Sequence, residues 1–289
     1  MDILELVQNK SIVVFDGAMG TQLAQRGAPA GGLSNIEAPD AVTAVHREYV
    51  EAGADVIITN TFCMNRIYIE SHGLGIDVAE VNRLGVELAK KAAGDSACVL
   101  GEVGLTGQML APLGTYKEEQ FYETFREQAG ILVDAGADAL IFETATDINE
   151  AAIALKACKE NFRLPVVVSM AYATETGGGR TSMGNRAADC AKLFADNGAD
   201  VIGANCGNFD PRFMAGVIEA YAEVTDIPLL AEPNAGKPRV EGDKTVYDLP
   251  VDVYIDEIIR PCLDAGVKLI GGCCGTSPDF IKAICDVVK

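Results

Sequence analysis

The stretch "EAGADVIITNTF" (residues 51–62) decides the fold, because it joins a helix end, a tight turn and a buried strand without a spacer. Gly53 suits the left-handed position that closes a helix. "DVIITN" (55–60) then runs apolar on consecutive positions rather than alternate ones, as strands covered on both faces do. The phrase recurs as "DAGADA" (134–139), "DNGADV" (196–201) and "DAGVKL" (264–269), each placing a strand two or three residues after its glycine.

Further runs of the same kind fill the rest of the chain. They are "IVVFD" (12–16), "CVLGEV" (98–103), "ALIFET" (139–144), "VVVSMA" (166–171), "VIGANC" (201–206), "LLAEPN" (229–234) and "KLIGGC" (268–273). With "DVIITN" they make eight, and amphipathic stretches such as 39–53 and 118–136 lie between them. Helix starts are marked by Asp147-Ile148-Asn149-Glu150, read as a capping box, and by Ser277-Pro278. Eight strand–helix units predict a single-domain (β/α)8 TIM barrel over residues 1–289, a fold of about 250 residues plus insertions. A doubly wound open sheet is the alternative, but it carries fewer strands and a Gly-rich first turn.

Composition narrows the function. The 289 residues carry 42 Asp+Glu against 23 Lys+Arg, a net charge of -19, which repels phosphate backbones and argues against a nucleic-acid partner. The opening "MDILELVQNK" does not read as a signal peptide, and no apolar run approaches the roughly 18 residues of a membrane span. Nine cysteines without disulfide-framework spacing fit reduced thiols and a cytoplasmic location.

In such a barrel the functional groups stand at the C-terminal ends of the strands. There the sequence places Asp16-Gly17, Asn60-Thr61-Phe62, Glu102, Glu143-Thr144, Ser169, Asn205-Cys206, Glu232-Pro233-Asn234 and Cys273-Cys274. Cys206, Cys273 and Cys274 therefore meet on one rim, while Cys158, Cys190, Cys262 and Cys285 read as helix-borne, Cys98 as a strand start, and Cys63 either way. Three converging thiolates favour a zinc site with its fourth position open. Inert buried thiols and a redox-active vicinal disulfide are the alternatives. Adjacent cysteines can share a metal only where the strand ends, and Gly271, Gly272 and Gly275 are expected to supply the bend. A three-thiolate zinc suits a soft fourth ligand: a substrate thiol held there loses its proton near neutral pH and keeps its nucleophilicity. Asp16 and Glu143 suit an α-amino group on that substrate, against an alternative of ordinary rim salt bridging.

These residues carry a family. "FDGAMGTQL" (15–23), "NTF" (60–62), "GANC" (203–206), "EPNAGKP" (232–238) and "GGCCGT" (271–276) together resemble the zinc-dependent homocysteine S-methyltransferases. The resemblance covers essentially the whole chain and is strongest to the homocysteine-binding barrel of cobalamin-dependent methionine synthase. It implies that Cys206, Cys273 and Cys274 hold zinc, with the Asn234 oxygen in the open position before the thiol arrives. It also implies that Asp16 and Glu143 face the homocysteine amino group, and that Gly17, Ala18 and Thr61 receive its carboxylate.

Full-length methionine synthase adds folate, cobalamin and activation modules, whereas this sequence ends at Lys289. The expectation is a thiol-activating barrel that makes methionine with a methyl group from a separate corrinoid (methylcobalamin) protein docked at the rim. S-Methylmethionine or another small sulfonium is the second donor. Betaine is disfavoured, because a quaternary ammonium favours an aromatic cage and the chain has no Trp and 18 Phe and Tyr. "TGGGR" (176–180) lacks the acidic ribose partner of a nucleotide site, and "ESHGLG" (70–75) only approximates a corrinoid-binding motif, which leaves His72 a loop residue. His46 reads as a helix-face residue. Two further readings remain, a non-catalytic zinc-thiolate barrel and a metal-free enzyme using Glu143 and Asp16 as acid and base.

Overall fold

The computed structural model describes residues 2–242 and 244–288. Eight parallel strands form the central sheet: β1 (Val13–Val14), β2 (Val56–Ile58), β3 (Cys98–Glu102), β4 (Ala139–Ala145), β5 (Val166–Met170), β6 (Val201–Asn205), β7 (Leu229–Glu232) and β10 (Leu269–Ile270). Two short strands, β8 (Arg239–Glu241) and β9 (Lys244–Val246), form an antiparallel hairpin between β7 and β10. The sheet order is β1-β10-β7-β6-β5-β4-β3-β2, and a parallel bridge from Phe15 to Val56 brings its two edges together. The expected TIM barrel is the fold observed, with helices packed around it.

The seam between β1 and β2 is closed partly by side chains. The Ile58 N–H donates to the Asp16 carboxylate at 3.0 Å and the Val14 N–H to Asp55 at 3.0 Å. A residue expected in the substrate pocket thus also satisfies a backbone donor at the seam.

The repeated glycine phrase behaves as read. Gly53, Gly136, Gly198 and Gly266 all have positive φ, between 82° and 107°. The aspartate two residues later has its own role in three of the four repeats. Asp55, Asp138 and Asp200 accept from the backbone N–H of Val14, Val99 and Val166 in turn, each in the preceding strand of the barrel. Lys10, Lys90 and Lys159 pair with the same carboxylates. In the fourth repeat Lys268 stands in this place and donates to the carbonyls of Lys10 and Ser11.

The capping box is only half made. Asp147 accepts from the Asn149 N–H, but Glu150 turns away to accept from the N–H and hydroxyl of Thr106. The helix Pro278–Val288 begins at the expected proline.

Both faces of the strands are buried, which explains their continuous apolar character. Val13, Phe15, Val56, Cys98, Leu100, Ala139, Ile141, Val167, Val201, Leu230 and Leu269 pack inside the barrel, floored by Ile3 of the N-terminal helix. Their neighbours, including Val14, Ile57, Val99, Leu140 and Val168, pack outward against the helices. Continuing the inward set by two residues reaches Glu102, Glu143, Ser169 and Glu232, and by four, past Gly203 and Gly271, Asn205 and Cys273. A polar layer therefore sits directly on an apolar plug.

Candidate functional site: a thiol cluster beside buried carboxylates

A cavity of about 330 Å³ opens above this plug. Asp16, Gly17, Ala18, Glu143, Cys206, Cys273 and Cys274 all line it. Seven of the nine expected site residues are thus brought together around one space.

The three thiols form its sulfur-rich wall. Their Sγ atoms lie within 4.8 Å of one another, with Cys206 and Cys274 3.9 Å apart. Two ligands about 2.3 Å from a tetrahedral zinc stand ~3.8 Å apart, so the observed spacing fits such an ion. Cys206 has φ +53°, a conformation that a residue with a Cβ adopts at a cost. It is held there by its N–H bond to the Glu232 carbonyl at 3.2 Å. The neighbouring Cys206 and Cys273 sulfurs hold the Cys274 thiol well below its ordinary range, and the Cys206 and Cys274 sulfurs push Cys273 up.

The glycines around the pair divide the work differently from expectation. Gly275 makes the bend, with φ +84°. Gly271 and Gly272 are not in the left-handed region and are needed for close packing instead. A Cβ on Gly271 would lie 2.7 Å from the Phe15 Cβ, and one on Gly272 2.7 Å from the Thr276 side chain.

Backbone bonds tie the rim segments to one another. The Gly272 N–H donates to the Asp16 carbonyl, Cys273 to Pro233, and Ala235 to the Cys274 carbonyl, each at 3.0 Å. Tyr254 donates to Pro233 at 3.0 Å, and Thr276 closes the loop through its hydroxyl on the Cys273 carbonyl at 2.7 Å.

Carboxylates form the opposite chemical pole. Asp16, Glu102, Glu143 and Glu232 all face the cavity, and desolvation raises the pKa of every one. Glu143 is pushed up to about 7 by burial and then by the negative charge of Cys274. Glu102 is raised by burial and by repulsion from Glu143, Glu232 and Asp16. Oε1 of Glu102 and Oε2 of Glu232 are buried without a hydrogen-bond partner. A cationic group of a ligand would supply what these oxygens lack.

Thr61 and Asn234 stand apart from the cavity wall. Thr61 is fully buried; its hydroxyl donates to the Glu102 carbonyl at 2.8 Å and contacts Thr59, and its N–H bonds the Thr59 carbonyl. Its polar groups are spent within the rim, and Thr59 takes the place on the wall. Ala18 lines the cavity but donates its N–H to the Thr276 hydroxyl at 3.1 Å. Asn234 is buried beside the cysteine loop; its amide nitrogen donates to Gly207, and its Oδ1 is buried without a partner.

One organising residue was missed in the sequence. Asn205 accepts from the Ser169 hydroxyl and the Thr144 N–H, and donates to the Thr144 hydroxyl and, at 3.8 Å, to the Cys273 sulfur. It links the β4 end, where Thr144 also has φ +60°, to the thiol cluster. Its signal was the period-two continuation of Val201 and Gly203.

Comparison with known proteins agrees with this geometry. The family described as Homocysteine S-methyltransferase matches residues 13–288. Methionine synthase of Mycobacterium leprae is 28% identical over 99% of this chain, which spans only 25% of that protein's length. Homocysteine S-methyltransferase 1 of Arabidopsis thaliana is 30% identical, over 94% of this chain and 91% of that one. The metallated crystal structure of the homocysteine methyltransferase MmuM from Escherichia coli superposes with a TM-score of 0.79 at 26% identity, covering 97% of each chain. With its barrel, its thiol cluster and a match running nearly end to end, this chain belongs to the homocysteine S-methyltransferase family of methyltransferases.

Proposed function

We propose that the protein, a single barrel domain over residues 1–289, is a zinc-dependent methyltransferase that activates homocysteine and accepts a methyl group from a corrinoid protein in trans, giving methionine. The observation that carries this reading is the convergence of three thiols within 4.8 Å on a cavity that also holds four buried carboxylates. A non-catalytic zinc store has no use for that acidic pocket, and a metal-free enzyme has none for the thiols.

Cys206, Cys273 and Cys274 would hold the zinc, and the partnerless Oδ1 of Asn234 suits the fourth place before substrate arrives. When bound, the metal supplies the positive charge that lets a thiol exist as thiolate near neutral pH. The chain's own residues do the rest. Asp16 and Glu143 receive the substrate ammonium, whose charge favours their ionised forms. Gly17 offers backbone for the carboxylate, at a point where a side chain would strike Thr276 and Tyr49 within 3 Å. Asn205 fixes Cys273 and Thr144 relative to each other, and the apolar plug keeps water from reaching the sulfur from below.

Three observations bear on the donor. The methionine synthase relatives support a corrinoid protein. So does the rim, where Leu74, Met109, Leu113, Met183, Phe213 and Val240 expose apolar surface on the connections that follow β2, β3, β5, β6 and β7. The second reading, a small sulfonium such as S-methylmethionine, is favoured by the net charge of -19, which attracts cations. No helix among the described residues is long and apolar enough to cross a membrane, and a cytoplasmic location is proposed with the reduced thiols.

The test is methionine formation from homocysteine with a methyl-corrinoid protein or methylcobalamin, S-methylmethionine and betaine as donors. The corrinoid donor is expected to give the highest rate. Turnover with S-methylmethionine alone would replace it by the second reading, and no methionine from any donor would contradict the enzyme assignment.

A further inference from the structure

The cavity holds two carboxylates that have no part in the proposed handling of homocysteine. Glu102 and Glu232 are 4% and 2% exposed, both line the cavity, and each has a side-chain oxygen without a hydrogen-bond partner. They stand two residues beyond Leu100 and Leu230, which pack inside the barrel. Their strands lie opposite each other in the ring, with β4, β5 and β6 between them on one side and β10, β1 and β2 on the other. With Ser169 of β5 they belong to the kind of layer that alternate strands contribute to a barrel interior.

Nothing on the wall answers these oxygens. Among the described residues, no Lys, Arg or His lines the cavity. The nearby neutral donors are spent elsewhere. The Ser169 hydroxyl donates to Asn205 at 2.7 Å, and the Asn60 amide donates to Gly31 at 2.9 Å and to Asn35 at 3.0 Å. The Thr59 hydroxyl contacts that of Thr61 at 2.7 Å and accepts from the Glu102 N–H at 2.9 Å. Buried acceptors in folded proteins are normally paired, and these two stand where a ligand would bring the donor.

A primary ammonium brings three N–H donors. Asp16 has already committed one carboxylate oxygen to the Ile58 N–H at 3.0 Å, which leaves a substrate nitrogen with donors for further acceptors. Hydrogen bonds from an ammonium to a carboxylate are charge-assisted and about twice as strong as neutral ones. A carboxylate in the same place would meet like charges and find no donor. We infer that Glu102 and Glu232 are specificity-determining residues that form a charge filter at the cavity floor, admitting thiols that carry an ammonium and excluding thiols that carry only a carboxylate. The filter also fixes which end of an amino-acid substrate points down, and leaves its carboxylate to the rim backbone at Gly17. This rests on the homocysteine reading of the site.

The experiment measures, by titration calorimetry, the binding of three thiols to the zinc-loaded protein. They are homocysteine, 3-mercaptopropylamine, which lacks the carboxylate, and 4-mercaptobutyrate, which lacks the ammonium. Wild type should bind the amine at least about tenfold more tightly than the acid. Glu102→Gln and Glu232→Gln keep the side-chain shape and remove its charge. Each should bind homocysteine and the amine about tenfold more weakly and the acid equally or more tightly, with zinc content unchanged. A damaged fold would weaken all three thiols together. Equal affinity of wild type for amine and acid would overturn the inference, as would folded variants in which all three affinities are unchanged or fall alike. A zinc-loaded wild type that binds none of the three would instead overturn the homocysteine reading.

Discussion

At the scale of single residues, the site separates groups that face the cavity from groups that hold those in place. Glu143 is of the first kind, a buried carboxyl on the cavity wall whose pKa is pushed to about 7. Removing it deletes a charged partner of the proposed ammonium, worth about 1.5–3 kcal/mol. Glu143→Ala should therefore weaken homocysteine binding roughly ten- to hundredfold by titration calorimetry, with zinc content unchanged; unaltered affinity would remove Glu143 from the pocket. Thr61 is of the second kind. Thr61→Val leaves the Glu102 carbonyl and the Thr59 hydroxyl short of a partner and should lower stability to urea by about 1–2 kcal/mol. Homocysteine affinity should stay within about twofold, because no polar group of Thr61 is offered to the cavity; a tenfold loss at unchanged stability would contradict this placement. The cysteines, Asp16 and Glu143 were legible from residue type and strand-end position alone. Thr61 was assigned by the family resemblance rather than by strand period; the structure spends its polar groups within the rim and sets Thr59 on the cavity wall.

At the scale of elements, the four glycine-ended helices were legible because Gly alone takes positive φ cheaply, and the Gly-x-Asp phrase repeats visibly. The β8–β9 hairpin was not: its strands are short and without an apolar pattern, and Arg239–Glu241 is exposed throughout. His46, on the helix Pro39–Ala52, proved more than a helix-face residue. It is fully buried, both ring nitrogens lack partners, and desolvation lowers its pKa to about 3. The unfolded chain takes up this proton near pH 6.5, whereas the folded protein resists it down to about 3. The neutral imidazole thus costs nothing in protonation above about pH 6.5, and stability falls as pH drops below that value. The loss reaches about 2 kcal/mol at pH 5. His46→Leu should remove that part of the slope when urea unfolding is compared between pH 7 and pH 5. Equal slopes in both proteins would show that His46 is not the titrating group.

At the scale of the whole molecule, the barrel converts eight separate strand ends into one chamber. It sets a pole of buried carboxylates beside a pole of three thiols. That division was readable once eight strands were counted, since chain order then fixes which ends are neighbours. The depth of the acidic layer was harder to read. Glu102 and Glu232 were visible as strand-end residues, but their inward direction follows only from the apolar layers beneath them. The donor is the least legible feature, because it depends on exposed loops and net charge rather than on buried geometry. The central claim is that Cys206, Cys273 and Cys274 hold one zinc, and metal content per chain in wild type, Cys206→Ser and Cys273→Ser tests it most directly. One zinc in the wild type and loss of most of it in both folded variants is the predicted result. Full zinc occupancy in both variants would contradict it.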